Sequence, residues 1–402
     1  MSTTFKNIFA GLQGDKAVWA IVALLALFSF LPVYSAASNL AYIKGDGNTV
    51  GFLIKHGMHL VLGFVMLYGV HKIPHHYFKG LSFIALPVVI ILLIVTLAQG
   101  TTMGGANASR WIKIPILGVG FQTSTFAGVV LMVYVARYLA KIKDTVVTFK
   151  ETIVPLWLPV AAVLALILPA NFSTTAIIAA MVVALVFLGG YPLKYLGIVI
   201  ATGIVALLFF VLLAKAFPGV FPNRVDTWIS RVENFANNET DADADYQIEK
   251  AKIAIASGGV LGQGPGKSVQ KNFLPQSSSD FIYAIIVEEF GLAGAGFLLF
   301  LYMLLLFRIT VIAHKAETVF AKLVVVGVGL PIVFQALINM AVAVELFPVT
   351  GQTLPLVSSG GTSIWMTCLA VGIVLSVSAK RAAVLPKEES ELNPLDILSE
   401  AI

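Results

Sequence analysis

Charged residues are scarce in this chain of 402 residues, where Asp, Glu, Lys and Arg together make up only 12%. A soluble domain has about 25% charged residues, so this chain could not cover a surface that faces water on all sides. Hydrophobic residues make up 58% instead, and the mean hydropathy is +0.92. The scarcity of charge excludes an ordinary soluble protein and indicates a chain that crosses a bilayer many times.

Cysteine is nearly absent as well, because Cys368 is the only one, and an intrachain disulfide is therefore excluded. No HExxH or CxxC metal motif occurs. The segment GQGPGKS (262–268) is not a nucleotide-binding P-loop, because Leu261 stands where that motif requires its first glycine. We therefore expect no organic cofactor, and the sequence leaves the ligands of any metal unknown. The net charge of +5 lies beside apolar segments and does not indicate nucleic-acid binding.

Ten apolar segments are long enough to span a bilayer. They cover approximately residues 17–36, 50–70, 80–99, 120–140, 152–170, 172–190, 194–214, 280–307, 318–345 and 357–379. A long polar loop, residues 216–279, separates the seventh segment from the eighth. The predicted fold is an all-α polytopic membrane domain over residues 1–385, with ten transmembrane helices and one large extracytoplasmic loop. A flexible cytoplasmic tail is predicted over residues 386–402.

The distribution of Lys and Arg predicts the orientation of these helices. With the N-terminus inside, fifteen cations fall in the short inner segments and four on the outer side. The inner set is Lys6, Lys16, Lys72, Lys79, Arg137, Lys141, Lys143, Lys150, Lys194, Arg308, Lys315, Lys322, Lys380, Arg381 and Lys387, and the outer set is Lys44, Lys55, Arg110 and Lys113. Because cytoplasmic loops carry the excess of Lys and Arg, both termini are predicted inside and the long loop outside.

Asp280 is the principal candidate for chemistry, because it lies where the long loop meets the eighth apolar segment. An ionisable group at the rim of a membrane helix is costly to desolvate and often functional. As a functional group, it would accept a proton from a substrate hydroxyl. The alternative is an ordinary helix N-cap, a position that favours Asp. The pattern alone leaves both readings open, and one residue can serve both roles.

Other charged residues near the outer side also have two readings. Glu288 and Glu289 lie deeper in the eighth segment, where buried acids must be paired or protonated, either for structure or as part of a site. Arg110 and Lys113 flank Trp111 and could anchor the chain at headgroup depth or bind a phosphate group. Lys267 and Lys271 in the long loop leave the same choice between solvation and phosphate binding.

The loop motifs resemble those of a known family, the SEDS proteins (shape, elongation, division and sporulation). The most specific match is GGVLGQGPGKSVQKNFLPQSSSDFIYAIIVEEFG, residues 258–291. NASRWI and PVTGQTLPLVSSGGTS resemble two further family motifs, and the resemblance covers nearly the whole chain. The stretch GANASRW is more similar to the FtsW division branch than to the RodA elongation branch.

The resemblance implies a peptidoglycan glycosyltransferase that polymerises lipid II into glycan strands at the division septum. It implies that Asp280 is the catalytic residue. The expected substrate-binding residues are Arg110, Lys113, Lys267, Lys271, Gln276, Ser358 and Ser359. It also implies lipid II, an undecaprenyl-pyrophosphate-linked glycan, a class B penicillin-binding protein and other divisome proteins as partners in the inner membrane. A divalent cation, Mg²⁺ or Mn²⁺, is an expectation from the chemistry and the resemblance.

Three positions depart from the family pattern, which has acids where this chain has Thr125, Asn171 and Gln276. Ser359 also stands where the family usually has Tyr. Three alternatives to the division polymerase remain: a lipid II flippase, a non-catalytic divisome scaffold, and a RodA-like polymerase for cell elongation and shape. A flippase should depend on charges within the membrane, such as Glu288 and Glu289, whereas a scaffold should not need Asp280.

Overall fold

The structure, a computed structural model, describes residues 12–43, 49–99, 111–113, 120–217, 242–274 and 276–379. Eleven α-helices and one short 3-10 helix, Gln270–Asn272, lie in these ranges. The α-helices are α1 (Lys16–Ile43), α2 (Thr49–His71), α3 (Tyr77–Gln99), α4 (Thr123–Ile142), α5 (Phe149–Ile167), α6 (Phe172–Leu188), α7 (Leu193–Ala216), α8 (Ala242–Gly258), α9 (Ile282–Lys315), α10 (Val319–Ala343) and α11 (Gly361–Ser378). Two short strands, β1 (Trp111–Lys113) and β2 (Gly120–Gln122), form an antiparallel hairpin.

All of these α-helices except α8 correspond to the ten apolar segments. Within the described ranges, nine are long and apolar enough to cross a membrane, and α6 is an apolar helix of 17 residues. The predicted all-α membrane fold is therefore confirmed. Helix α5 contains a π-helical stretch, Ile153–Trp157, which includes Pro155 and therefore one residue without a backbone N–H donor.

The core of the bundle lies around α10 and α11, which are buried over most of their length. Helix α10 packs against α4, α6, α9 and α11, and α11 packs against α2. Helix α7 is at the other extreme, since Leu196 is its only buried residue. An apolar helix that is exposed along its length is compatible with a lipid environment, where no water contacts its side chains.

The two ends of the bundle differ in what holds them together. At one end, which we call the terminal end, Asp15 lies before α1 and forms an ion pair with Arg308 of α9. The backbone N–H of Asp15 donates to Oγ of Ser378, at the end of α11. The first and last membrane helices therefore meet at the terminal end. The opposite end, which we call the loop end, carries the residues that precede α9 and α11.

Three boundaries at the loop end differ from the prediction. Residues 120–122 form strand β2, so α4 begins at Thr123 and not at 120. The long loop contains α8, whose Ala251 and Ala254 are buried against Leu274 and the start of α9. Helix α11 begins at Gly361, because residues 354–359 make a compact turn before it. The tail from 386 and loop residues 218–241 lie outside the described part of the chain.

Candidate active site

Asp280 lies at the loop end, in the turn that leads into α9. Its side chain is half-buried, while the two residues after it, Phe281 and Ile282, are buried. Helix α9 begins at Ile282, and its N-cap residue is Phe281. The N-cap reading of Asp280 is therefore wrong, because the chain turns one residue further before the helix starts.

Two neighbouring segments hold the turn that carries Asp280. Asn339 of α10 donates from Nδ2 to the backbone oxygen of Asp280 and also to that of Gln352, both at 2.7 Å. A Cβ atom on Gly351 would lie 3.4 Å from Oδ2 of Asp280, so the carboxylate lies against the backbone of the 349–353 segment. Asn339 and the segment before α11 together fix the position of the Asp280 carboxylate.

Ser358 and Ser359 fasten the same turn from the side of α11. The hydroxyl of Ser358 donates to the backbone oxygen of Ser279 at 2.6 Å, and the N–H of Ser359 donates to that of Ser278 at 2.8 Å. Ser358 is buried, whereas the side chain of Ser359 is exposed. The geometry gives Ser358 a role in positioning Asp280, and the substrate-binding role of both serines stays a prediction.

Gln276 opens this turn on its exposed side. Its Oε1 accepts from the hydroxyl of Ser279 at 2.7 Å, and its backbone oxygen accepts from the N–H of Phe281 at 3.2 Å.

Thr125 and Asn171, the other two neutral replacements, are also hydrogen-bonded locally. Thr125 donates to the backbone oxygen of Gln122 at 2.8 Å, and Asn171 caps α6 by accepting from the N–H of Thr174 at 3.2 Å. Neutral side chains thus meet the hydrogen-bonding needs of all three positions.

The glycine-rich segment crosses α9 where this helix is broken. Gly291 has φ +65° and ψ −167°, which interrupts the helical hydrogen bonds. The segment replaces the missing partners: Gln263 and Gly264 donate to the oxygens of Glu288 and Glu289, and Leu292 and Ala293 donate to those of Gly259 and Val260. Each backbone group left unpaired there would cost about 1–3 kcal/mol. The break is therefore tolerated because protein and not lipid covers it.

Close backbone contact explains why glycines are needed at this crossing. A Cβ on Gly262 would lie 2.2 Å from the backbone oxygen of Glu289, and a Cβ on Gly291 would lie 2.3 Å from that of Val260. Both glycines also have positive φ, where other residues are strained. The glycines of this segment thus serve a close contact between two stretches of backbone, in agreement with the prediction that the segment is not a P-loop.

Glu288 and Glu289 are each only 1% exposed and bind the residues just after the glycine-rich segment. Glu288 accepts hydrogen bonds from the hydroxyl of Ser268 and from the N–H of Val269, the latter at 2.9 Å. Glu289 accepts from the hydroxyl of Ser35 in α1. The two acids lie near the carbonyl end of the first half of α9, where negative charge is unfavourable without such donors.

Lys271 provides positive charge next to this acid pair. Its Nζ donates to Oγ of Ser35 at 3.1 Å and to the backbone oxygen of Gly266 at 2.8 Å. The hydroxyl of Ser35 thus stands between Lys271 and Glu289. Lys267, by contrast, has an exposed side chain. Arg110 lies outside the described residues, and for Lys113 the structure describes the strand but not the side chain.

A partly open cavity of about 100 Å³ lies between α4, α6, α10 and α11. Its polar lining includes Ser124, Thr174, Gln335, Gln352, Ser363 and Thr367. Gln352 links it to Asp280 through Asn339, and donates to the hydroxyl of Thr174 at 3.1 Å. Pockets for drug-sized ligands measure roughly 300–1,000 Å³, so this cavity is too small for a lipid-linked sugar as it stands.

The described residues contain no group of three or more His, Cys, Asp or Glu that could hold a metal ion. The described protein therefore does not offer a ready ligand set for Mg²⁺ or Mn²⁺, which prefer oxygen ligands. Two buried histidines of α2 are packed instead. Nε2 of His56 lies 2.8 Å from the hydroxyl of Ser29, and the ring of His59 contacts Trp365 edge to face.

Two residues of this site, Ser35 and Asn339, were not among the residues predicted from the sequence. Each is a polar side chain in an otherwise apolar stretch of a membrane helix, and each is 1% exposed. A buried polar group in a membrane helix is costly unless it has partners, so such residues are functional or structural candidates. That signal was available in the sequence, but it did not reveal which partners they would meet.

The fold defines a polytopic membrane protein whose candidate site lies at its loop end. The model of the cell cycle protein family that comprises FtsW, RodA and SpoVE matches residues 15–383. The chain therefore belongs to this family, and the resemblance to SEDS proteins is confirmed.

Individual relatives agree with this assignment. A "probable peptidoglycan glycosyltransferase FtsW" of Hydrogenovibrio crunogenus is 34% identical over 384 residues, which cover 93% of this chain and 94% of the relative. A protein of the same name from Geobacter sulfurreducens is 31% identical over 372 residues, which cover 91% of this chain and 95% of the relative.

Solved structures share the fold. A chain of a peptidoglycan synthase complex, described for its coordination of polymerization and crosslinking, gives a TM-score of 0.69 at 24% identity. That match covers 91% of this chain and 97% of the other. The rod shape determining protein RodA of Thermus thermophilus gives a TM-score of 0.63 at 24% identity and covers 91% and 96%.

Proposed function

We propose that this protein is a peptidoglycan glycosyltransferase of the FtsW type, which polymerises lipid II into glycan strands during septal cell-wall synthesis. The names of its relatives support the activity and the division branch. The observation that carries the proposal is the position of Asp280. Its carboxylate is half-buried at the loop end, and Asn339, Ser358 and Ser359 hold the backbone beside it.

The proposed reaction is a direct displacement at the donor sugar. The growing strand, linked to undecaprenyl pyrophosphate, is the donor, and the 4-hydroxyl of the GlcNAc in lipid II is the acceptor. Asp280 takes the proton of this hydroxyl while the oxygen attacks the donor C1. The C1–O bond to pyrophosphate breaks as the new glycosidic bond forms, so the configuration at C1 inverts. The lipid tails lie in the bilayer, which explains why the site is at a membrane surface.

The leaving pyrophosphate gains negative charge, which nearby cations stabilise in the transition state. Of Lys267 and Lys271, whose side chains the structure describes, Lys271 has its ammonium group fixed by hydrogen bonds to Ser35 and Gly266. Lys267, Arg110 and Lys113 would bind the same pyrophosphate or the pyrophosphate of the acceptor lipid II. A Mg²⁺ or Mn²⁺ ion bound together with the substrate would add charge compensation for the leaving group.

The flippase alternative has lost its main support. It relied on Glu288 and Glu289 as charges along a path through the membrane. Both acids are hydrogen-bonded to Ser268 or Ser35, and neither lines the cavity in the bundle. A non-catalytic scaffold does not explain why Asp280 is positioned by two other segments. A RodA-like elongation polymerase shares the chemistry and differs in its place of action.

Partners and location complete the proposal. A class B penicillin-binding protein would crosslink the new strands, and other divisome proteins would recruit the pair to the septum. The structural likeness to a chain of a peptidoglycan synthase complex supports a partner of this kind. Both termini would face the cytoplasm, in agreement with the meeting of α1 and α11 at one end.

Polymerisation of labelled lipid II by the purified protein, with and without its penicillin-binding partner, tests this function. We expect glycan strands from the wild type and none from Asp280→Ala or Asp280→Asn at equal folded yield. Glu345→Gln is the matched control, because Glu345 is another acid at the loop end and is paired with Lys252 of α8. It should keep full activity.

Equal product from the wild type and both Asp280 variants would remove Asp280 from the mechanism. If no form polymerises even with the partner, the glycosyltransferase assignment fails. Translocation of lipid II across vesicle membranes would then distinguish a flippase from a scaffold.

A further inference from the structure

A single hydroxyl connects the first membrane helix to the loop end. Ser35 of α1 is 1% exposed. Its Oγ donates to Oε1 of Glu289 and accepts from Nζ of Lys271, the latter at 3.1 Å. The three groups belong to three distant parts of the chain: α1, the long loop and α9.

The direction of these hydrogen bonds is fixed by the chemistry of the groups. An ammonium group has only donors and a serine hydroxyl has one proton, so Lys271 donates to Ser35 and Ser35 donates to Glu289. Hydrogen bonds that involve charged groups are about twice as strong as neutral ones. The chain of bonds therefore ties a flexible lysine side chain to a buried carboxylate.

The backbone of Lys271 is tied to the other buried acid. Glu288 accepts from the hydroxyl of Ser268 and from the N–H groups of Val269 and Gln270. The hydroxyl of Ser268 in turn accepts from the N–H of Lys271 at 3.1 Å. Both acids are therefore linked to Lys271 through a serine. Glu288 is linked to the backbone N–H of Lys271 through Ser268, and Glu289 is linked to its ammonium group through Ser35.

We propose that Ser35 and Glu289 are positioning residues that fix the ammonium group of Lys271 for the leaving pyrophosphate. This inference rests on the proposed glycosyltransferase function. A lysine side chain that is already ordered loses less conformational entropy when the transition state forms. The benefit should therefore appear in kcat more than in KM.

The first test compares two serines of the same helix. Ser29 is also buried in α1, but it bonds to His56 and has no contact with the long loop in the described structure. We expect Ser35→Ala to lower kcat for lipid II polymerisation about tenfold, the size of one charged hydrogen bond, with little change in KM. Ser29→Ala should keep the wild-type kcat, and Ser35→Thr should restore most of the activity because it keeps the hydroxyl.

A double-variant cycle separates positioning from general packing. If Ser35 acts through Lys271, then Ser35→Ala combined with Lys271→Ala should be no slower than Lys271→Ala alone. Multiplied effects would overturn the proposal, as would equal kcat values for Ser35→Ala and Ser29→Ala. If Ser35→Ala yields too little folded protein, Glu289→Gln can replace it in the same double-variant cycle with Lys271→Ala.

Different results would overturn the glycosyltransferase function and the positioning role of Ser35 and Glu289. A wild-type protein that makes no glycan strands with its partner overturns the function, and the positioning role falls with it. An active wild type whose Ser35 and Lys271 variants show independent effects overturns the positioning role alone.

Discussion

Two aspartates at opposite ends of the bundle each stand just before a membrane helix, but they are used differently. Asp15 caps α1: its Oδ1 accepts from the N–H groups of Ala17 and Val18, at 2.9 and 3.1 Å. Its carboxylate also pairs with Arg308. Asp280 precedes the N-cap residue of α9, and Asn339 holds it by its backbone oxygen.

The difference shows how a structural acid and a candidate catalytic acid can be distinguished. The carboxylate of Asp15 contributes directly to the contacts between α1 and α9, so stability should depend on its charge. At Asp280, the bonds from Asn339, Ser358 and Ser359 go to backbone oxygens of residues 278–280. The position of Asp280 therefore depends on hydrogen bonds from its neighbours to the backbone, and its half-buried carboxylate lies close to Gly351.

The largest expected effect separates activity from stability. Asp280→Asn should lower polymerisation about 10²–10⁴-fold, the usual contribution of a general base, because the amide cannot accept the proton. Its thermal unfolding in detergent should match the wild type. Asp15→Asn should lower the thermal stability and leave the specific activity of the folded protein unchanged. A large loss of stability in Asp280→Asn would break this comparison.

The second prediction concerns the crossing of the loop and α9. Gly262→Ala places a methyl group against the backbone of Glu289 at 2.2 Å, and φ is +81°. We expect a loss of about 3 kcal/mol or more in the free energy of unfolding, because backbone must move. Gly266→Ala is the control, since φ is +77° but no neighbouring atom of the described residues lies within 4 Å of the position that its Cβ would take. It should cost about 1 kcal/mol, the strain of positive φ alone.

The third prediction tests whether neighbours position Asp280. Asn339→Ala removes the two hydrogen bonds to the oxygens of Asp280 and Gln352, so activity should fall about tenfold. Gln335→Ala, one turn away on α10, removes a bond to the oxygen of Thr353 and should have a smaller effect. Steady-state polymerisation rates per folded protein measure the difference. Equal rates for both variants would show that Asn339 does not place the acid.

The smallest effect is the pH dependence at Asp15. Burial alone would raise the pKa of Asp15, but hydrogen bonds from Arg308 and from the N–H groups of Val18 and Ala17 outweigh it and lower the pKa below 3.8. A lowered pKa means that the stabilisation is fully present above pH 3.8 and is lost as the pH falls through the pKa of the folded state.

Asp15→Asn should therefore destabilise the protein by about 1 kcal/mol at neutral pH, because the ion pair is partly exposed. The difference from the wild type should shrink in unfolding measurements below pH 3.8. A difference that stays constant with pH would mean that the carboxylate contributes as a hydrogen-bond acceptor and not through its charge.

The fold was largely predictable from hydropathy, because a bilayer forces every spanning segment into a long apolar helix. Errors occurred where the chain leaves the bilayer. Strand β2 was included in a helix, and α8 was not predicted, since its sequence is largely polar and contains no long apolar run. Loop structure depends on contacts with other segments, which a hydropathy pattern does not contain.

The sequence by itself determined the class of the protein and its apolar membrane helices, and it predicted Asp280 as the candidate catalytic residue, because composition and local motifs carry that information. Only the tertiary structure decided how Asp280 is held. It also brought Lys271 and Glu289 to Ser35, although Lys271 lies 236 positions and Glu289 lies 254 positions further along the chain. The physical reason is that a buried polar group needs a partner wherever the chain can supply one, and sequence distance does not limit that choice.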